Sequence, residues 1–274
     1  MNFRTLYSFS IYFVITVLLF ACGTPANEDD LLSTEDSVTV IQYKKNTQIQ
    51  KIFSSIPSQS ETTEMLENAG AKYNSKILNP IENLSKYSSV KSKALNLGVY
   101  GIDLGVTNIF DQTQESVLYL KCTNKMASNL GISGAFDENM SSRIDANSDN
   151  KDSLLTIITD SYRKADSYLQ ENGQPGVSSL MVAGAWIEGL YIASQIAAST
   201  NNETIINRIG KEKTTLSDIL SLLESYKTEN EGTEDILASL KELKQIYDGI
   251  SDKPTSEQFK QIAEKITAIR TAII

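Results

Sequence analysis

Two carboxylates stand where a carboxylate is costly. Asp103 lies between Ile102 and Leu104, and Glu188 between Ile187 and Gly189, each inside a run that is otherwise apolar or small. An acid buried among apolar groups must be neutralised, paired or hydrogen-bonded, because an isolated buried charge is strongly unfavourable. Tyr100, Tyr191, Asn96 and Gln195 are the candidate donors on the same two stretches. Two arrangements answer that need. One is a ligand pocket between the stretches, lined by Asp103, Glu188, Tyr100 and Tyr191; the other is a polar network satisfied within itself. Buried acids with a working role are the minority, so the internal network is the expected arrangement.

Other chemistry finds little support. The chain contains no histidine, which removes the commonest general base near neutral pH, the Ser-His-Asp and Cys-His pairs, and the imidazole ligands of zinc or iron. Cys122, in LYLKCTNKM, has Lys121 and Lys125 nearby but no imidazole to lower its pKa, and reads as a plain half-buried thiol. DANSD, residues 145–149, offers oxygens at alternate positions as a calcium loop does. The glycine expected at the sixth position is Asn150, however, and the glutamate expected at the twelfth is Thr156. No glycine-rich phosphate loop or dinucleotide fingerprint occurs. No enzyme, cofactor or metal site is expected.

The remaining cysteine ends an apolar run. Residues 6–21 are almost uncharged and rich in Ile, Val, Leu, Phe and Tyr, and they follow a single basic residue, Arg4. That is the layout of a signal peptide, and it is shorter than the roughly 20 residues a membrane-spanning helix needs. Leu19-Phe20-Ala21-Cys22 resembles the bacterial lipobox. The resemblance implies cleavage before Cys22 and acylation of its thiol and new amino group, since two or three chains hold a protein durably where one does not. Gly23, rather than Asp, resembles the residue that follows the cysteine in lipoproteins sorted to the outer membrane. Glu28-Asp29-Asp30 loosely resembles the export tag of surface-exposed lipoproteins, although a solvated acidic linker is the expected reading.

Charge narrows the partners further. The net charge is −9, from 25 basic and 34 acidic residues. Nucleic acid binding needs a basic face, and anionic headgroups repel an acidic body, so neither partner is expected. With Cys22 acylated, Cys122 has no disulfide partner, and stability has to come from core burial.

The elements that must hold Asp103 and Glu188 are helical. Apolar and small residues fall at helical spacing over 89–110, 112–130 and 150–170, with Gly131 and Ile132 as a C-cap and Gly173 and Pro175 closing the third. Capping signatures at Thr215, Thr233 and Thr255 open three later helices, the last covering 256–273. The segment 40–57 reads as a short docking helix. Residues 178–199 are apolar nearly all round, which predicts an enclosed central helix rather than a membrane span, because Glu188 and Gln195 are costly against lipid. Within it Ala185, Gly189, Ala193 and Ala197 recur every four residues, while Gly98, Gly101 and Gly105 share a face of the earlier helix. Interior glycine costs about 1 kcal/mol of helix propensity relative to Ala, so the two stripes predict a close crossing. The expected architecture is an all-α multi-helix bundle of about seven to nine helices. Its organisation is a signal peptide over 1–21, a lipidated cysteine and flexible tether over 22–45, and one helical domain over 46–274.

Together with the lipobox, KALNLGVYGIDLG, ASNLGI, NKDSLL and AGAWIEGLY occur in this order. On these motifs the chain resembles an uncharacterised family of all-helical predicted lipoproteins from Bacteroidota. The resemblance implies fold and location and brings no activity with it. The expected function is that of a lipid-anchored, non-enzymatic module of the cell envelope, most simply at the outer membrane and facing the periplasm or the cell surface. It would be held to the bilayer through acylated Cys22 and would act on an envelope protein partner not identified by the sequence. The alternative is a small-molecule binding or sensing protein with its pocket between the 89–110 and 178–199 helices; an enzyme using Asp103 and Glu188 ranks third.

Overall fold

At position 89 the backbone is extended, and the Ser89 hydroxyl accepts a hydrogen bond from the Ser92 amide at 3.0 Å, so the chain enters a helix with its first free donors partly satisfied. That helix carries Asp103. The computed structural model describes residues 59–274 except 135, 137, 148, 149, 230 and 231, together with Ile49 and Ile52. The expected signal peptide, Cys22 and tether lie outside the described residues, as does part of the 145–149 loop.

The helices in chain order are α1 (Gln59–Asn68), α2 (Val90–Ile109), α3 (Thr113–Asn129), α4 (Glu138–Ala146), α5 (Lys151–Glu171), α6 (Pro175–Thr200), α7 (Glu203–Gly210), α8 (Lys213–Ser225), α9 (Thr233–Asp248) and α10 (Ser256–Ile273). Two short 3₁₀ turns, Ser75–Ile77 and Ile81–Lys86, separate α1 from α2. No strand occurs among the described residues, so the fold is the all-α bundle that the periodicity predicts. Ile49 and Ile52, from the expected docking helix, are helical and buried.

Local sequence sets most helix ends. Gly131 sits at a φ of 75°, with its amide bonded to the Ser128 carbonyl and the Ile132 amide to that of Ala127, which closes α3 and drives Ile132 into the core. At α10 the Thr255 hydroxyl accepts from the Gln258 amide while the Gln258 side chain accepts from the Thr255 amide, a reciprocal capping box.

Three boundaries differ from expectation. Pro175 does not close α5; Gly173 does so, and Pro175 occupies the first turn of α6, where its missing N–H is no loss. Thr215 is not a cap, because α8 starts at Lys213 and buries Thr215 in its first turn. Gly232, at a φ of 74°, precedes α9, and Thr233 is its first helical residue.

The middle of the bundle is α6. It is the one helix among the described residues long and apolar enough to span a bilayer, yet 72% of its most apolar window is buried inside the protein. Helices α2, α5, α7, α8 and α10 pack around it, with α3 against α2 and α9 against α8 and α10.

The close crossing of α2 and α6 is present, but its residues differ in part from those the stripes indicated. A methyl group on Gly98 would overlap the Met181 carbonyl oxygen and lie 2.5 Å from the Ala185 nitrogen; one on Gly184 would overlap the Leu95 carbonyl. Backbone therefore touches backbone at both glycines. Gly101 instead accommodates the Tyr162 ring of α5, and Gly189 has nothing within 4 Å of the place a methyl would occupy. Gly98→Ala is expected to lower the unfolding free energy by about 1–3 kcal/mol through overpacking, while Gly189→Ala raises it by up to about 1 kcal/mol through helix propensity. Urea unfolding of the two variants measures the contrast, and equal effects would place the contact elsewhere.

Candidate functional site

The crossing that excludes a methyl at Gly98 also encloses both acids. Asp103, on α2, and Glu188, on α6, are each 0% exposed. The charge on Glu188 acts on Asp103 across the crossing.

The partner of Glu188 comes from the far end of the chain. Arg270 on α10 donates from Nε to Glu188 Oε2 at 2.8 Å and from Nη2 to Oε1 at 2.9 Å, a two-pronged pair that matches the planar guanidinium to the carboxylate. The same Nη2 donates to the Ile77 carbonyl at 3.0 Å. The guanidinium also lies over the Tyr191 ring, 4.3 Å from its centroid, an arrangement that a desolvated cation favours.

Asn79 serves Asp103, and the Asn79 backbone amide donates to Oδ2 at 3.1 Å. Asn79 is itself held on every side. Its side-chain amide donates to Tyr87 Oη and Asn96 Oδ1, its Oδ1 accepts from Asn83, and its carbonyl accepts from Tyr119 Oη. The Asn79-Pro80 step between the two 3₁₀ turns thus plugs a polar loop into the side of the bundle, and the Pro80 carbonyl accepts from Tyr100 Oη at 3.1 Å. Asn96 ties the loop to the last helix by donating to the Ile273 carbonyl at 2.7 Å.

The four residues singled out as a ligand set do converge on one centre. The charge on Glu188 acts on Asp103, Tyr191 lies beneath the Arg270 that binds Glu188, and Tyr100 braces the loop that binds Asp103. The expected donors, however, are not the ones the acids receive. Tyr100 serves Pro80, Asn96 serves Ser92 and Ile273, and Gln195 reaches Thr267. Arg270 and Asn79 take that role. An Asn-Pro dipeptide was the available signal for the loop, and an arginine one residue after Ile269 on a buried helical stripe was the signal for the cation.

Burial shapes the titration of the whole centre. Asp103 is pushed well above the usual carboxylate range, first by loss of water and then by the charge on Glu188. Burial raises Glu188 too, while the hydrogen bonds and charge of Arg270 pull it back down. For Arg270 burial opposes the charge, and the bonds to Glu188 more than offset it. Cys122 is 4% exposed, more enclosed than the half-buried thiol expected, and burial pushes it up to about 11, so it is a thiol rather than a thiolate at neutral pH. Among the described residues no group of three acids or cysteines is arranged to hold a metal ion.

On the outer side of α6 and α10 runs a shallow, mainly apolar groove between Gln195, Ala198, Phe259 and Ala263, open to solvent. The acids do not line it. No protein-family model matches the chain, and no curated protein or solved structure matches it either.

Removing the guanidinium while Glu188 stays leaves a buried charge without a partner. Arg270→Met should therefore cost about 3–5 kcal/mol, and adding Glu188→Gln should return a large part of that loss. Chemical unfolding of the two single variants and the double variant measures the coupling. A double variant no more stable than Arg270→Met alone would assign the loss to packing.

Proposed function

We propose that the chain is a lipid-anchored lipoprotein of the cell envelope, held by acyl chains on Cys22, whose helical body acts on a protein partner rather than on a small substrate. The anchoring reading rests on Leu19-Phe20-Ala21-Cys22 at the end of an apolar leader. Gly23 after the cysteine favours the outer membrane, with the body facing the periplasm or the cell surface.

The reading of the body rests on one geometric observation. Its most chemically capable groups are enclosed: Asp103 and Glu188 are fully buried, with the Glu188 carboxylate gripped at both oxygens by Arg270 and Asp103 bonded through one oxygen to the Asn79 amide. A catalytic or ligand-binding carboxylate needs room for a substrate beside it. Here α2 and α6 meet backbone to backbone, with no space for a methyl group at Gly98 or Gly184. A pocket between these helices is correspondingly less supported. What remains for recognition is the exterior of an acidic bundle on a tether.

Growth with a labelled fatty acid tests the anchor: the wild-type chain should carry label and sediment with membranes, and Cys22→Ala should do neither. Crosslinking of the intact protein in cells, followed by mass spectrometry, should then recover the same envelope protein with wild type in replicate. An unlabelled wild-type chain would remove the anchor, and reproducible recovery of no protein would remove the partner.

A further inference from the structure

The two oxygens of Asp103 are unequally served. Oδ2 accepts the Asn79 amide, whereas Oδ1 is sealed from water and receives no hydrogen bond from a donor group of the protein. One short stretch brings this carboxyl to a second one: Asn79 donates to Asp103, the Ile77 carbonyl accepts from the Arg270 that grips Glu188, and both acids are fully buried, so the charge on Glu188 bears on Asp103. Two acids side by side cannot both be ionised at small cost, and one of them must hold a proton unless a cation answers each.

Among the described residues, the charges around Asp103 supply one cation. Arg270 faces the pair from α10, and it is committed to Glu188 at both oxygens and to the Ile77 carbonyl. Helix α6 contributes Glu188 and Tyr191, α3 contributes Tyr119 and Cys122, α5 contributes Tyr162, α2 itself contributes Tyr100, and Tyr73 lies ahead of the 3₁₀ turns. Burial raises the pKa of every one of these tyrosines and of the thiol, so all are neutral and none balances a second negative charge.

We propose that a single proton shared between Asp103 and Glu188 is the working part of a latch that fastens α10 to the core, and that its removal as pH rises frees α10. With the proton on Asp103 Oδ1 donated to Glu188, the cluster holds one negative and one positive charge, and every polar atom has a partner. Without it, a second carboxylate faces Glu188 in a dry site. Relief comes from water, which reaches the pair when the end of α10 that carries Arg270 lifts. Further polar ties there are the Asn96 bond to the Ile273 carbonyl, the Arg270 bond to the Ile77 carbonyl and the Gln195 contact with Thr267.

The sign follows from linkage. Asp103 in the closed state holds its proton far more tightly than an exposed aspartate at roughly pH 3.9. The closed latch is therefore fully favoured at and below that ordinary pKa, and weakens as pH rises from there towards the pKa of the closed state.

Hydrogen exchange of the full chain over a pH series, read on peptides from α10, tests the latch against Asp103→Asn, which keeps the shape of the neutral acid and cannot ionise. Relative to that variant, the opening equilibrium of α10 in wild type should grow by about tenfold per pH unit above the ordinary aspartate range. A parallel pH dependence in the two proteins overturns the proposal. Infrared spectra of wild type with carbon-13 aspartate decide the matter without relying on the variant's folding. A protonated aspartate carboxyl that persists at neutral pH and vanishes in alkali supports the shared proton, and its absence at neutral pH overturns it.

Discussion

Gly98 and Gly184 let α2 and α6 approach until one backbone rests on the other, and the rest of the bundle answers to that contact. At such a separation there is no water between the helices, and any polar group on the seam must find its partner inside the protein. Asp103 lies little more than a turn after Gly98, and Glu188 one turn after Gly184. The close approach that gains dispersion contact thus creates two electrostatic debts that only other elements can settle.

The settlement gives the fold its connectivity. Glu188 requires a cation with a planar, two-pronged donor, and α10 delivers one from 82 residues away. Asp103 requires a backbone donor, and the loop at Asn79 supplies it by entering the bundle between two 3₁₀ turns. Hydrophobic burial alone would accept α10 in several rotations, since Ile262, Ile266 and Ile269 form a generic apolar stripe. Arg270 accepts one, because a turn of the helix about its axis would leave Glu188 buried without a counter-charge. The pair therefore contributes specificity of docking more than net stability, for desolvating two ions consumes much of what their attraction returns.

The same arrangement separates chemistry from recognition in this molecule. A carboxylate inside a helical bundle is often the first sign of a site, and here two of them share one centre with Tyr87, Tyr100, Tyr119 and Tyr191 among the groups nearby. Both Glu188 oxygens are nevertheless taken up by Arg270 and one Asp103 oxygen by the Asn79 amide, and the hydroxyls of Tyr100 and Tyr119 are taken up by the carbonyls of Pro80 and Asn79. Polar groups that complete each other hold a core in one arrangement.

Much of the fold was written locally. The limits of α2 follow from Ser89, those of α3 from Gly131, and those of α10 from the Thr255–Gln258 box, because a cap is a contact between residues three or four apart. The lack of a polar face over 178–199 identified α6 as enclosed, and the unusual placement of Asp103 and Glu188 among apolar residues marked them before any partner was visible. Local pattern did not separate the short helices α1, α4 and α7, and it assigned the crossing to Gly189 where Gly184 makes it, since which face of an all-apolar helix meets which neighbour is not encoded in that helix. Nor could it name Arg270 or Asn79. Those partners are chosen by the packing of α10 and the 3₁₀ loop against α6 and α2, a matter of distance in space between residues far apart in the chain, and only the folded protein brings that distance down to a hydrogen bond.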